Sequence, residues 1–218
     1  MAEHEHPSDL AALRAEYGDA GLDEVGAGPD PWALWQRWFD DAATAGLHEP
    51  NAMVVATVDP DGTPSARTVL LKGVGPDGFR FFTNTASRKG AALEHTAACA
   101  LLFPWHPLER QVRVEGTATR LPAGDVQAYW ATRPRGSQLG AWASPQSQVV
   151  LGRDELELRY REAEERFAGQ DVPVPPGWGG YRVAPQRFEF WQGRRGRLHD
   201  RLRYTADGTS WTLERLAP

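Results

Sequence analysis

The tripeptide Pro-Asp-Gly occurs twice in close succession, within Asp59-Pro60-Asp61-Gly62 and Gly75-Pro76-Asp77-Gly78. Proline presets the first turn angle, aspartate bonds back to the local backbone and glycine accepts positive φ, so each copy reverses the chain. Around them run Ala52–Val58, Ser65–Val74 and Phe79–Thr83, stretches of strand length rich in apolar and β-branched residues. The segment therefore reads as an antiparallel meander. Further strands are expected at Cys99–Trp105, Gln111–Leu121, Tyr181–Trp191, Arg197–Tyr204 and Ser210–Arg215.

Helices are expected in the connections. Asp30-Pro31 supplies an N-cap and a first helical residue ahead of Trp32, Trp35, Trp38 and Phe39, an apolar stripe that reads as core packing. Ser87 can cap a helix from Arg88 to about His95, Gly124–Thr132 is helical until Pro134 breaks it, and Asp154–Phe167 is a charged amphipathic helix with pairs such as Glu157–Arg161. A short helix is expected over Leu10–Tyr17, followed by a glycine-rich link from Gly18 to Gly28. The expectation is one mainly β domain over residues 29–218, an antiparallel barrel with flanking helices, preceded by a flexible segment over residues 1–28. The glycine fingerprint of a dinucleotide fold and a P-loop are both missing.

Charge narrows the function. Of the 218 residues, the first 50 carry 11 acidic side chains against Arg14 and Arg37, which leaves 18 acidic against 22 basic in the remainder. A mildly cationic body suits phosphorylated small molecules and is too weak for the dense backbone neutralisation that nucleic acid requires. No run approaches the length of a bilayer span, and the acidic start lacks a signal peptide's pattern, so a soluble cytoplasmic protein without membrane or nucleic-acid partners is expected. Cys99 is the sole cysteine and lies in an apolar run, where it reads as a small buried hydrophobe. Lys72 and Lys89 are the only lysines beside 22 arginines.

Four groups of residues could carry chemistry. If Arg197 to Arg201 is extended, Arg197, His199 and Arg201 share one face while Leu198 and Asp200 take the other. Such a face either meets solvent, as charge that blunts an edge strand, or holds an anionic, electron-rich ligand. Arg67 and Lys72, five apart on a proposed strand, face opposite sides unless a bulge intervenes, and serve two anions or stand as surface charges. Ser87-Arg88-Lys89 puts N–H groups, a hydroxyl and two cations at a helix start, where an anion is favoured. Tyr129 and Arg133 emerge on one helix face ahead of Ser137, either as an anion clamp or as a tyrosine packed on an arginine stem.

The run from Phe188-Glu189-Phe190-Trp191-Gln192-Gly193 to Arg197-Leu198-His199-Asp200-Arg201 resembles the signature of the pyridoxamine (pyridoxine) 5′-phosphate oxidase family. Also similar to that family, and in its order, are Arg67-Thr68-Val69-Leu70-Leu71-Lys72, Thr83-Asn84-Thr85-Ala86-Ser87-Arg88-Lys89, Leu102-Phe103-Pro104-Trp105, Glu109-Arg110-Gln111-Val112, Arg133-Pro134-Arg135-Gly136-Ser137-Gln138, Gln146-Ser147 and Trp178-Gly179-Gly180. The resemblance implies an FMN-binding split β-barrel of Greek-key antiparallel strands, working as a homodimer with FMN at the subunit interface. It implies that Arg67, Thr68, Val69, Leu70, Leu71, Lys72, Phe82, Thr83, Arg88, Lys89, Gln111, Gln146, Ser147, Trp191 and Arg201 contact FMN. It implies that Lys72, Tyr129, Arg133 and Ser137 clamp the substrate phosphate, that Arg197, Leu198 and His199 face the substrate, with Arg197 and His199 catalytic, and that Arg14, Ala15, Glu16 and Tyr17 cover it. Lys72, Arg133, Arg197 and His199 are then expected to share one cavity.

The implied reaction oxidises pyridoxamine or pyridoxine 5′-phosphate with O2 to pyridoxal 5′-phosphate, releasing hydrogen peroxide, and ammonia from the amine. Two departures stand out: Ala15 where a second basic residue is more usual, and Arg194-Arg195 in the signature's variable positions. Rival readings are a flavin- or deazaflavin-dependent reductase of unphosphorylated compounds, a non-catalytic carrier of FMN or pyridoxal phosphate, and a nucleic-acid module.

Overall fold

A computed structural model of the chain describes residue 13 and residues 16–218. Arg14, Ala15 and most of the helix expected over Leu10–Tyr17 lie outside the described residues. Nine strands form one antiparallel sheet: β1 Ala52–Val58, β2 Pro64–Leu70, β3 Gly73–Gly75, β4 Gly78–Asn84, β5 Ala98–Trp105, β6 Arg110–Arg120, β7 Trp178–Gln192, β8 Asp200–Asp207 and β9 Ser210–Leu216. Hydrogen-bonded neighbours run β2-β1-β5-β6-β7-β4-β3, with β8 on β7 and β9 on β8.

The path starts and ends on one stretch of polypeptide, because β2 and β3 are separated only by Leu71 and Lys72. The Leu71 N–H donates to the Asn51 carbonyl before β1, whereas the next N–H, that of Lys72, donates to Arg80 of β4. Successive N–H groups of an extended chain point to opposite edges, so the chain passes here from one neighbouring strand to another and the sheet curls into a barrel. The single strand expected over Ser65–Val74 is thus two strands with a corner between them.

β7 organises the other side. β6 pairs along nearly all of it, while the far edge pairs with β4 through Trp178 to Val183 and with β8 through Arg187 to Gln192. Between these halves the β6 register shifts at Glu115/Gly116, opposite Pro185, which has no N–H to give to a ladder. A Cβ on Gly116 would lie 2.2 Å from the Ala184 carbonyl oxygen, so the close approach at the bulge depends on glycine.

Alternate residues of the strands fill the barrel: Met53, Val55, Phe79, Phe81, Leu101, Phe103, Val112, Val114, Phe188, Phe190, Leu202 and Tyr204 are all wholly buried. Helix α2, Pro31–Thr44, covers this core; Asp30 caps it by accepting from the Trp32 N–H at 3.0 Å. Trp35 packs edge-on against Phe79 and Phe103, and Trp32 stacks on Phe79 at 5.1 Å, so the tryptophan stripe is core. The expected glycine-rich link contains a short helix α1, Glu24–Ala27. Leu22 and Ala27 join the core, and Tyr204 donates its hydroxyl hydrogen to the Gly28 carbonyl at 2.7 Å.

Helix α3, Arg88–His95, starts on Ser87 as expected. Between β6 and β7 lie α4 Ala123–Ala131, α5 Arg135–Ala143 and α6 Arg153–Arg166, which enclose a second small core of Trp130, Leu139, Ala163, Phe167 and Val172. Helix α5 was not expected from the sequence. Gly136, Gly140 and the preceding Pro134 obscure a helix that tertiary packing sustains, with Arg135 donating to the Phe167 and Gln170 carbonyls at the end of α6. Replacing Gly116 by alanine should destabilise the protein by about 1–3 kcal/mol or more, through backbone displacement at the bulge. An unchanged thermal midpoint in calorimetry would refute that account.

Candidate active site

A cavity of about 440 Å³ opens between β2, β4, the start of α3 and helices α4 and α5. Its lining contains Arg67, Lys72, Lys89 and Arg133, and no aspartate or glutamate among the described residues. Thr68, Thr83, Tyr129, Ser137, Ser144 and Gln146 add hydroxyl and amide groups. Four cations without a carboxylate in their midst give the cavity a charge that favours an anion. Two phosphate monoesters, at about −1.5 to −2 each, would match that charge.

The placement of each cation follows from the local fold. Arg67, on β2, is held against the barrel wall by neutral acceptors only, its Nη1 donating to the Val55 and Ser65 carbonyls and the Thr57 hydroxyl and its Nη2 to the Ser65 hydroxyl at 2.6 Å. Lys72 lines the same cavity, which takes Arg67, Thr68, Val69 and Leu70 in succession and so draws on both sides of the strand; alternation therefore does not separate Arg67 from Lys72. Lys89, in the first turn of α3, is 8 % exposed and donates to Thr83 Oγ1 at 2.9 Å, Gln146 Oε1 at 2.9 Å and Ser87 Oγ at 3.3 Å. Burial, and secondarily the charge of Arg67, lowers its pKa to about 8.

Arg133 lies just beyond the end of α4, its guanidinium 4.7 Å from the centre of the Trp178 ring and its Nη2 donating to the Ser137 carbonyl at 3.0 Å. Its Nε is buried without a partner. Tyr129 stacks on Phe82 at 3.9 Å, so the phenol is oriented and both residues line the cavity. Trp178 was read from the sequence as part of a motif without a role at the site. Its place beneath Arg133 depends on β7 meeting α4, which local sequence does not show.

Other expected site residues lie elsewhere. Leu71 is buried in the core. Arg88 turns away from the cavity to an ion pair with Asp59, its Nε 2.7 Å from Oδ2, and Asp59 Oδ1 also accepts from the Ser65 hydroxyl. Ser147 has φ of +72° and does not line the cavity. Leu198 is 74 % exposed. Gln111, Trp191 and Arg201 form a cross-strand row on the outer face of β6, β7 and β8.

Arg197 and His199 also fall outside the cavity lining. The strand expected from Arg197 begins only at Asp200, since Gly196 and Arg197 both have positive φ, +65° and +64°, and make a turn. The expected sharing of one strand face by Arg197, His199 and Arg201 is therefore not observed. Instead His199 lies against Trp191 at 4.6 Å between centroids, Tyr17 meets both rings edge-on, and the Arg197 guanidinium lies 5.6 Å from the Tyr17 ring centre. A Cβ on Gly193 would come within 2.8 Å of the Tyr17 ring, so glycine there admits the tyrosine. Glu16 beside it is exposed. Arg195 pairs with Asp19 at 3.4 Å, and the Arg194 N–H donates to His199 Nδ1 at 3.1 Å. Burial, then Arg197, holds the imidazole below its ordinary range.

The charges on the outer face of β6–β9 differ from those of the cavity. There Arg113, Glu115, Arg187, Glu189, Arg203 and Glu214 line a cleft of about 530 Å³ and pair with one another. Positive charge is left unpaired by carboxylates in the first cavity.

A family model described as pyridoxamine 5′-phosphate oxidase matches residues 39–167, and one described as the pyridoxine 5′-phosphate oxidase C-terminal dimerisation region matches residues 178–218. The chain belongs to the pyridoxamine 5′-phosphate oxidase family. It is 62% identical over 210 residues to the pyridoxine/pyridoxamine 5′-phosphate oxidase of a Nocardioides species, covering 96% of this chain and 98% of that one. It is 60% identical over 210 residues to the protein of that description from Rubrobacter xylanophilus, covering 96% and 97%. Among solved structures, PhzG from Burkholderia lata 383, in complex with tetrahydrophenazine-1-carboxylic acid, aligns with a TM-score of 0.85 at 31% identity, covering 92% of this chain and all of that one. The cavity's cations fall in the first family match, and Trp191, Arg197, His199 and Arg201 in the dimerisation region. No helix among the described residues is long and apolar enough to cross a membrane.

Because Lys89 is charged below about pH 8 and neutral above it, anion affinity should be full at pH 7 and fall as pH rises through 8. Sulfate, a dianion throughout this range, should bind roughly tenfold more weakly at pH 9, and Lys89→Met should flatten this dependence in a calorimetric titration. For His199, acceptance at Nδ1 places the proton of the neutral ring on Nε2. Nitrogen-15 NMR of labelled histidine at pH 8 should show that tautomer, and the opposite assignment would contradict the Arg194 hydrogen bond.

Proposed function

We propose that this protein oxidises pyridoxamine 5′-phosphate and pyridoxine 5′-phosphate to pyridoxal 5′-phosphate, with FMN as its bound cofactor and O2 as acceptor. The observation that carries the reading is the cavity with four cations and no carboxylate in its lining. The residues present suit FMN and a phosphorylated substrate: Lys89 is an almost buried ammonium with only neutral acceptors, and Arg133 has a buried, unpartnered Nε. Phosphate groups in the cavity would balance the charge of both.

In this reading Arg67, Lys89, Thr83 and Gln146 hold FMN, with Thr68, Val69 and Leu70 along its edge, while Lys72, Tyr129, Arg133 and Ser137 grip the substrate phosphate. FMN held there would supply the two-electron redox chemistry by which C4′ is oxidised, to an aldehyde from the alcohol or to an imine that water hydrolyses with release of ammonia, with O2 as final acceptor and hydrogen peroxide as product. The protein's share is orientation: a phosphate held remotely by Lys72 and Arg133 supplies binding energy that fixes C4′ for transfer. Arg197 covers the pyridine ring and His199, donating from Nε2, orients its polar substituents.

Arg197, His199, Trp191, Gln111 and Arg201 do not line the cavity of their own chain. We assign them to the cavity of a second copy, so the working unit is a homodimer with FMN at the interface. The match of residues 178–218 to a dimerisation region supports that assignment.

Anaerobic mixing of the FMN-loaded protein with pyridoxamine 5′-phosphate should bleach the flavin absorbance, and air should restore it with formation of peroxide. Stoichiometric binding without bleaching would favour a carrier. Arg133→Ala should raise KM for pyridoxamine 5′-phosphate by roughly 10- to 100-fold, the loss of one or two charge-assisted bonds, with little effect on unphosphorylated pyridoxamine. Arg197→Leu should lower kcat while FMN stays bound. Mixing inactive Lys72→Ala and Arg197→Leu chains should recover roughly a quarter of wild-type activity, since half of the pairs are mixed and each holds one intact site. Absence of recovery would count against sites shared between chains.

A further inference from the structure

Glu189 has no role in the reading above, yet its surroundings are unusual for a strand carboxylate. Its neighbours Phe188 and Phe190 point into the barrel, so Glu189 points outward, away from the core. It is nevertheless only 5 % exposed. Two guanidiniums cover it. Arg113, its direct partner across β6, binds one carboxylate oxygen. Arg201, on β8, places both Nε and Nη2 at 2.9 Å from the other. The third nitrogen of Arg201, Nη1, donates to the Ala217 carbonyl at 2.8 Å.

Each nitrogen of the Arg201 guanidinium therefore has a partner in the chain itself, and a long side chain that samples many rotamers is held in one. Arg201 stands at the end of the row Gln111, Trp191, Arg201. A nearly buried carboxylate between arginines is weak evidence for stability, because desolvation offsets much of the attraction. It is a strong means of fixing direction, since the planar fork of arginine meets a carboxylate in few geometries.

We propose that Glu189 is a positioning residue that presets Arg201 for FMN. The proposal rests on the reading of the Gln111, Trp191 and Arg201 row as a flavin-contacting surface. With Glu189 in place, the ordering of Arg201 is complete before the cofactor arrives. Without it, that ordering has to be met from the binding energy of FMN. Arg113, itself paired with Glu115, covers the far side of Glu189.

The test is a double-mutant cycle on FMN affinity, read by quenching of flavin fluorescence, with wild type, Glu189→Gln, Arg201→Lys and the combination. Glu189→Gln should weaken FMN roughly tenfold, and in the Arg201→Lys background the same change should add less than about twofold, because Glu189 acts only through the arginine. Wild-type affinity in Glu189→Gln overturns the proposal. So does an equal loss in both backgrounds, which would mark a general structural effect. If Glu189→Gln does not give folded protein, Glu189→Asp keeps the charge while withdrawing it from Arg201, and should show the same loss; FMN affinity equal to wild type in that variant overturns the proposal. If Arg201→Lys itself binds FMN as tightly as wild type, the reading of the row as a flavin contact fails. That outcome is distinct from a failure of Glu189 alone and also removes the proposal.

Discussion

The passage of the chain from one strand partner to another between Leu71 and Lys72 is the constraint on which the rest of this structure depends. One N–H pairs toward β1 and the next toward β4, so the two ends of the sheet path are joined by covalent continuity. Barrel closure brings β2 opposite β4 and creates the space that α3, α4 and α5 line. Lys72, at that corner, and Arg67 both line this space. The cavity takes Arg67, Thr68, Val69 and Leu70 in succession, from both sides of β2, and so reaches Arg67 and Lys72 alike.

Within that frame the distribution of partners matters more than the number of charges. On the outer face of β6–β9, arginines and glutamates alternate across the strands and satisfy each other. In the cavity, Arg67, Lys89 and Arg133 meet only hydroxyls, amides, carbonyls and aromatic rings, and Lys72 has no carboxylate partner among the described residues. The pair that comes nearest to an exception, Arg88 with Asp59, lies outside the cavity and ties the β1–β2 turn to the start of α3. An uncompensated cationic hollow is unfavourable until an anion fills it, and that imbalance is what marks this cavity as a site.

The proposed site is divided. The cavity's four cations lie in the first family match, while the Tyr17, Trp191, Arg197 and His199 cluster and the Gln111, Trp191 and Arg201 row lie on other surfaces of the same chain. A twofold pairing of chains is the economical arrangement that uses both, and it is the reason the proposed function is framed for a dimer. The turn at Gly196 and Arg197 fits this division. Positive φ at an arginine is strained, and such strain tends to persist where a side chain must be aimed at something the local chain does not contain.

Much of the fold was legible because it is written locally. Pro-Asp-Gly turns, two-residue alternation and the caps Asp30 and Ser87 act over a few residues, and the expected β1, β5 and α3 match the observed ones to within a residue at each end. Family membership was legible too, through motifs in order. What only tertiary structure decided involves partners far apart in the chain: the corner between β2 and β3, the helix α5 supported by the end of α6, the stacking of Arg133 on Trp178, and the capture of Arg201 by Glu189. The face toward which Arg197 and His199 turn belongs with these. Sequence alone determined which residues could turn, pair or carry charge. Barrel closure and strand register decided which charges were answered within the chain and which were left for a ligand, because pairing between distant segments follows from three-dimensional packing and not from local pattern.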